Sequence, residues 1–248
     1  MKTLYDSIGD RYASSRRTEP RIARQIFREL VGARHLINIG AGTGSYEPPG
    51  LDMVAVEPSG RMIAQRPATA CRAVRASAES LPFQDNSFSH AMTVLSVHHW
   101  TDRDRGFREI SRVATDRFIM VTWDPHAPPF WLTRDYFPEI IGTDLLIFPE
   151  LDELQDYFDD VRVRPLMIPE DCTDGFLAAF WKRPEAYLDP KVRASISTFA
   201  KSEDLAPGLE SLASDLASGR WADINSEVLG LSELDAGYRL VTANIRPV

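Results

Sequence analysis

The sequence predicts a doubly wound α/β fold built on a seven-stranded, mostly parallel sheet. Three observations carry that prediction. Short apolar runs of strand length alternate with stretches of helical period through the first half of the chain. A glycine cluster follows the first of these runs directly, and an acidic residue closes the second. A block of helical texture separates the last two strand-like runs.

The elements follow in order. Residues 20–32 read as a helix: Pro20 suits its first turn, and Ile22, Ile26, Phe27 and Leu30 recur at helical spacing. The run HLINI is the first strand and stops at AGTGSY. Residues 52–58 form the second strand, and 59–67 a helix capped by Ser59. Residues 71–76 are a weaker third strand. Residues 91–97, AMTVLSV, carry the strongest signal of a fully buried strand. A helix over 102–114 and a fifth strand over 117–123 complete the alternation. Beyond Asp124 the texture becomes proline- and aromatic-rich. An acidic helix over 149–160, a strand over 161–168 and a final strand over 237–245 follow. Residues 172–230 hold two or three helices. Ordinary connections run to about two to six residues, so this block reads as an inserted helical lid between the last two strands. Two parts result: residues 1–125 with the glycine loop, and 126–248 with the insertion and the strands that complete the sheet.

Composition narrows the function. Apolar residues make up 44% and charged residues 26%, as in a folded globular protein. The 28 Lys+Arg against 36 Asp+Glu give a net charge of -8, which weighs against a broad nucleic-acid or anionic-membrane surface. Two cysteines, Cys71 and Cys172, exclude a disulfide framework and a four-thiolate metal site, and no spaced His/Cys/Asp set appears. The start lacks an apolar leader, and no apolar run is long enough to span a bilayer, so a cytoplasmic protein is expected.

Gly40, Gly42 and Gly44 follow the first strand as G-x-G-x-G. Residues without a Cβ let a ligand approach the backbone, and the next helix offers free N–H groups. Glu57 ends the second strand, where a carboxylate can accept both ribose hydroxyls of a nucleoside. Pro58 restricts Glu57 to extended backbone. Met62 suits either the adenine side of such a site or the core. The spacing is wrong for a dinucleotide pyrophosphate turn.

Three segments, LINIGAGTGSY (36–46), VAVEPSGRM (54–62) and AESLPFQDNSFSHAMTVLSVHHW (78–100), resemble the class I S-adenosylmethionine-dependent methyltransferases, in their small-molecule, methyltransferase type 11-like branch. The resemblance implies a Rossmann-like core, S-adenosyl-L-methionine as cofactor and methyl transfer to a small molecule. It implies that Gly40, Ala41, Gly42 and Gly44 cradle the methionine and ribose part. Glu57 would bind the ribose, while Ser77, Ala78 and Glu79 follow the adenine edge. Leu95 and Ser96 would line the cofactor near the end of the fourth strand. His98 and His99 would stand close to the transferred methyl, only one of them facing the pocket. An N-terminal segment bearing Tyr5, Tyr12, Arg16 and Arg17 would fold over the cofactor, Tyr12 on the cofactor and Tyr5 and Arg16 on the acceptor. Departures include Ala76-Ser77 where Gly-Asp is usual, and His90 and Asn38 where Asp is common.

Trp123 and Trp131 after the fifth strand, and Phe180 in the insertion, are candidate walls of an acceptor site; the alternative is a packing seam. The expected partners are a small-molecule substrate, with no nucleic acid and no membrane, in a monomer or homodimer. The competing function is a cofactor-binding protein of the same fold with a regulatory or scaffold role.

Overall fold

In the computed structural model, which describes residues 16–201 and 204–246, seven strands form one sheet in the order β3-β2-β1-β4-β5-β9-β6. These are β1 (Leu36–Ile39), β2 (Met53–Val56), β3 (Ala73–Val74), β4 (Phe88–Val94), β5 (Ala114–Trp123), β6 (Phe158–Pro165) and β9 (Tyr238–Ile245). The first five run parallel, and β9 is antiparallel to both β5 and β6. A separate pair joins β7 (Ile168–Pro169) to β8 (Glu233–Leu234). Strand order reverses between β1 and β4, with Ile37 paired to both Val54 and Ala91, and ligands of such sheets sit at the strand carboxyl ends there.

Helices cover both faces, and three of them start with a side-chain cap. Glu19 caps α1 (Pro20–Arg28) by accepting from Arg21 N, Ser59 caps α2 (Gly60–Ala64), and Asp102 caps α3 (Arg103–Val113). Ile22 and Ile26 of α1 join Leu36, Met92 and Ile119 in one core; Phe107 and Ile110 of α3 join Ile37, Phe118 and Phe158 in the other. Burying two separate apolar layers is what a parallel sheet of continuous apolar strands requires.

Three strand phases and one helix differ from expectation: β5 begins at Ala114, three residues before the expected run, and β4 and β6 shift likewise. β4 begins at Phe88, three residues before the apolar run, and ends at Val94. Its polar start is satisfied: Ser89 Oγ accepts from Arg34 N at 2.9 Å and donates to His35 O at 3.1 Å. Leu95 then takes φ 51°, and Val97–His99 form a 3-10 turn rather than strand. The acidic stretch over 149–160 is a short 3-10 helix, Leu151–Asp156, followed at once by β6. Phe158 is buried and pairs with Ile245, so its place in the sheet outweighs a solvated acidic helix.

The insertion between β6 and β9 is more broken than two or three helices. It holds 3-10 turns Leu177–Phe180 and Pro184–Leu188, then α5 (Pro190–Arg193), α6 (Ser197–Lys201), α7 (Ala206–Ser218), α8 (Arg220–Ile224) and α9 (Ser226–Leu229). Proline starts two of these pieces, and Gly219 at φ 81° ends α7. The insertion docks on the segment after β5, which contains α4 (Glu139–Ile147). The ring of Trp131 meets Trp221 edge-on at 5.2 Å and Tyr187 at 5.7 Å, and Phe137 meets Phe199 at 5.2 Å.

Candidate active site

The glycine loop leaves β1 with its backbone fixed to β2: Gly40 N and Ala41 N both donate to Val56 O, at 2.9 and 3.0 Å. Gly40 has φ 71°, and a Cβ there would lie 1.7 Å from Ser96 Oγ at the end of β4. Only glycine fits that approach. Glu57, buried at the end of β2, accepts from Gly42 N at 2.9 Å and from Ser59 N at 2.9 Å. It therefore joins the glycine loop to the start of α2. Two backbone donors thus orient the Glu57 carboxylate.

These groups open onto a cavity of about 650 Å³ at the carboxyl ends of β1, β2 and β4. Gly40, Ala41, Gly42, Glu57, Pro58 and Met62 line one side. Ser77, Ala78, Glu79, Leu95, Ser96 and His99 line the other. Burial pushes the Glu79 carboxyl up, but donors from its own backbone N–H, Ser77 and Thr101 together hold it below the usual carboxylate range. Glu79 accepts from Thr101 N at 2.8 Å, which ties the loop before β4 to the loop after it. Gly44 is not in this wall; it packs beside Arg66 and Glu47 behind the loop.

A second, smaller cavity of about 50 Å³ shares Arg16 and Leu95 with the first. Trp123, Phe148, Phe176 and Tyr238 supply aromatic walls, with His98, Asp144, Ser195 and Thr198 between them. The two histidines thus part: His99 lines the large cavity and His98 the small one, with their rings 3.8 Å apart. His98 also stacks on Phe148 at 4.5 Å.

Other expected positions fall elsewhere. Trp131 lies outside both cavities, fully buried, with its indole N–H donating to Trp181 O at 2.8 Å. It is the seam between the insertion and the segment after β5. Phe180 also lies outside them, under the Arg183 guanidinium at 4.9 Å and edge-on to Tyr187. Tyr5 and Tyr12 lie outside the described residues. Arg16 reaches both cavities, but its guanidinium pairs with Asp174, Nε to Oδ1 at 2.7 Å.

Asp174 was not legible from the sequence. Its fully buried carboxylate also accepts from Tyr46 Oη at 2.8 Å, Arg17 N at 3.2 Å and Gly175 N at 2.7 Å. Burial and Asp174 both push the Tyr46 phenol far up, so it stays a donor. One carboxylate at the start of the insertion thereby fixes Tyr46 of the large cavity and Arg16 of both. Beside it, buried Glu19 accepts from Thr173 N and Oγ1, each at 2.9 Å, and from Arg21 Nε at 2.7 Å.

Comparison with known proteins agrees with this geometry. Residues 37–118 match the model of a methyltransferase domain. A solved structure from Anabaena variabilis, described as a candidate methyltransferase from an antibiotic biosynthesis pathway, is 34% identical, with TM-score 0.82 over 92% of this chain and 98% of that one. A SAM-dependent methyltransferase from Thermotoga maritima shares the fold at 16% identity and TM-score 0.53, over 98% of this chain and 93% of that one. The chloroplastic 2-methyl-6-phytyl-1,4-hydroquinone methyltransferase of Spinacia oleracea is 26% identical over 133 residues, 50% of this chain. The chain spans only 37% of that relative's length. This chain belongs to the class I S-adenosylmethionine-dependent methyltransferases, in the methyltransferase type 11-like branch.

Proposed function

We propose that this chain transfers a methyl group from S-adenosyl-L-methionine to a small-molecule acceptor. The observation that carries the reading is the adjacency of two cavities: a large one framed by the glycine loop and Glu57, and a small ring-walled one that shares Arg16 and Leu95 with it as wall. The large cavity fits the cofactor on its own evidence, since Glu57, oriented on its wall by Gly42 N and Ser59 N, offers the acceptor that vicinal hydroxyls require. When bound there, the sulfonium supplies a transferable methyl and a neutral leaving group. Gly40, Gly42, Glu57 and the 77–79 stretch hold the nucleoside, and Ser77 replaces a charged acceptor on the adenine side.

The small cavity is the acceptor side. Its aromatic walls suit an aromatic or apolar group of an acceptor, such as the hydroquinone ring in the substrate named for the spinach relative. His98 faces this cavity, and stacking on Phe148 sets its orientation. In the proposed reaction His98 would take the acceptor's proton, leaving the acceptor's lone pair free for the methyl that the bound cofactor would supply. His99 is a wall of the donor cavity. Residues 1–125 then form the donor-binding part and 126–248 the acceptor side. The protein acts in the cytoplasm, as a monomer or homodimer, without nucleic acid or membrane. The net charge of -8 supports the absence of a nucleic-acid surface, and among the described residues no helix is long and apolar enough to cross a membrane.

The test is release of S-adenosylhomocysteine from S-adenosylmethionine across a panel of small phenols, amines and carboxylic acids. Turnover with at least one acceptor is expected. His98→Gln is expected to lower kcat with that acceptor about a hundredfold while the cofactor Kd stays within about twofold. His99→Gln is expected to act mainly on the cofactor Kd. Cofactor binding without turnover on any acceptor would favour the regulatory reading.

A further inference from the structure

Behind the glycine loop lies a buried polar cluster that the proposed reaction does not use. Glu47 and Arg66 form an ion pair, with Nη2 at 2.7 and 2.8 Å from the two carboxylate oxygens and side chains only 9% and 5% exposed. Arg66 Nη1 also donates to Gly42 O at 3.3 Å, and the Cys71 thiol donates to Glu47 at 3.5 Å. Burying two charges is costly, and an apolar pair of the same volume would often serve stability as well. The pair therefore calls for a role beyond packing.

That role is visible at Asn38. Asn38 sits in the interior of β1, is 2% exposed and lines the large cavity. Its Nδ2 donates to Glu47 Oε1 at 3.3 Å. An ionised carboxylate only accepts, whereas an amide has a donating end and an accepting end. Reversing the amide would set its oxygen against Glu47 Oε1, two acceptors in contact. Glu47 thus commits the NH₂ of Asn38 to the rear of the loop and leaves Oδ1 as the end available to the cavity. Arg66 in turn holds Glu47 in place. The result is an oriented, uncharged acceptor beside Gly40 and Gly42, suited to a donor and best to a cationic one.

We propose that Glu47 is a positioning residue that acts through Asn38 to recognise the ammonium group of the bound ligand's amino-acid tail. The inference rests on the cofactor reading above and deepens it, because it separates recognition of the tail from recognition of the nucleoside. Glu57 and the 77–79 stretch hold the nucleoside; Glu47, Arg66 and Asn38 select for the tail.

Calorimetric titration with two probes tests this. S-adenosylhomocysteine carries the amino-acid tail, and methylthioadenosine is the same nucleoside thioether without it. Asn38→Ala leaves the Glu47–Arg66 pair intact, and Glu47→Gln removes the acceptor-only partner. Each is expected to weaken S-adenosylhomocysteine about tenfold or more and to leave methylthioadenosine within about twofold. The double variant is expected to bind no more weakly than Asn38→Ala alone, because Glu47 acts through the amide. A parallel loss of both probes, or losses that multiply in the double variant, would overturn the proposal. If Glu47→Gln does not fold, Glu47→Asp, which keeps the charge but draws the carboxylate back from Asn38, is expected to shift the ratio of the two probes in the same direction, and an unchanged ratio would overturn the proposal. Wild-type protein that binds neither probe would instead overturn the cofactor reading itself.

Discussion

A methyl group added at position 40 has nowhere to go. The Cβ of a Gly40→Ala variant would lie 1.7 Å from Ser96 Oγ, on a backbone held at φ 71°. The strain alone costs about 1–3 kcal/mol, and relieving it moves either the glycine loop or the end of β4. Gly40→Ala is expected to lower urea-unfolding stability by that amount and to abolish cofactor binding by titration. Gly42→Ala makes a gentler contrast, since its Cβ meets Met62 Cε at 3.4 Å, and a smaller loss is expected. The parts of the site that were legible in the sequence share one property. The glycines, Glu57 and the 95–99 turn sit at fixed offsets from strand ends, so local pattern locates them. Asp174 and Glu47 carry no such mark. Asp174 meets Tyr46 and Arg16 across more than a hundred residues, and Glu47 looks like a loop acid until Arg66 is seen against it. Trp131 misled for the related reason that an aromatic residue after β5 reads the same whether it faces a cavity or a seam.

Between the elements, the segment at the start of α1 and the start of the insertion are bound by buried charge. Burial would raise the Glu19 carboxyl, but Arg21 and Thr173 outweigh it and bring the group down to about 2. An unfolded glutamate titrates near about 4.3. A depressed carboxylate stabilises the folded state above its unfolded value and loses that contribution as pH falls toward its folded value. Wild type is therefore expected to exceed Glu19→Gln in stability by up to roughly 3 kcal/mol near neutrality, with the gap closing between about pH 4.5 and 2. Unfolding midpoints of both proteins across that range check it; a gap independent of pH would show that the charge of Glu19 contributes nothing. Element identity was more legible than element phase. All seven strands of the sheet were expected, yet β4, β5 and β6 each begin three residues early. Ser89 and His90 read as turn because their polarity is visible, while the His35 and Arg34 backbone groups that satisfy Ser89 are not. The insertion was expected as a block, but its helices are cut short where Pro184, Pro190 and Gly219 fall.

At the scale of the molecule, the sheet's reversal between β1 and β4 places the large cavity, and the insertion together with the segment after β5 places the small one beside it. Neither cavity belongs to one element. The large one needs the ends of β1, β2 and β4, and the small one is closed only because Phe176, Leu177 and Ser195–Thr198 return over β5 and β9. The central claim is that the large cavity holds S-adenosylmethionine with Glu57 on the ribose. Titration of S-adenosylmethionine and S-adenosylhomocysteine into wild type and Glu57→Gln tests it most directly, with melting curves to show that both proteins are folded. Saturable binding of both ligands to wild type is predicted, weakened about tenfold or more in Glu57→Gln through loss of charge-assisted hydrogen bonds. Folded wild-type protein that binds neither ligand, or a Glu57→Gln variant that binds both as tightly as wild type, would contradict the account.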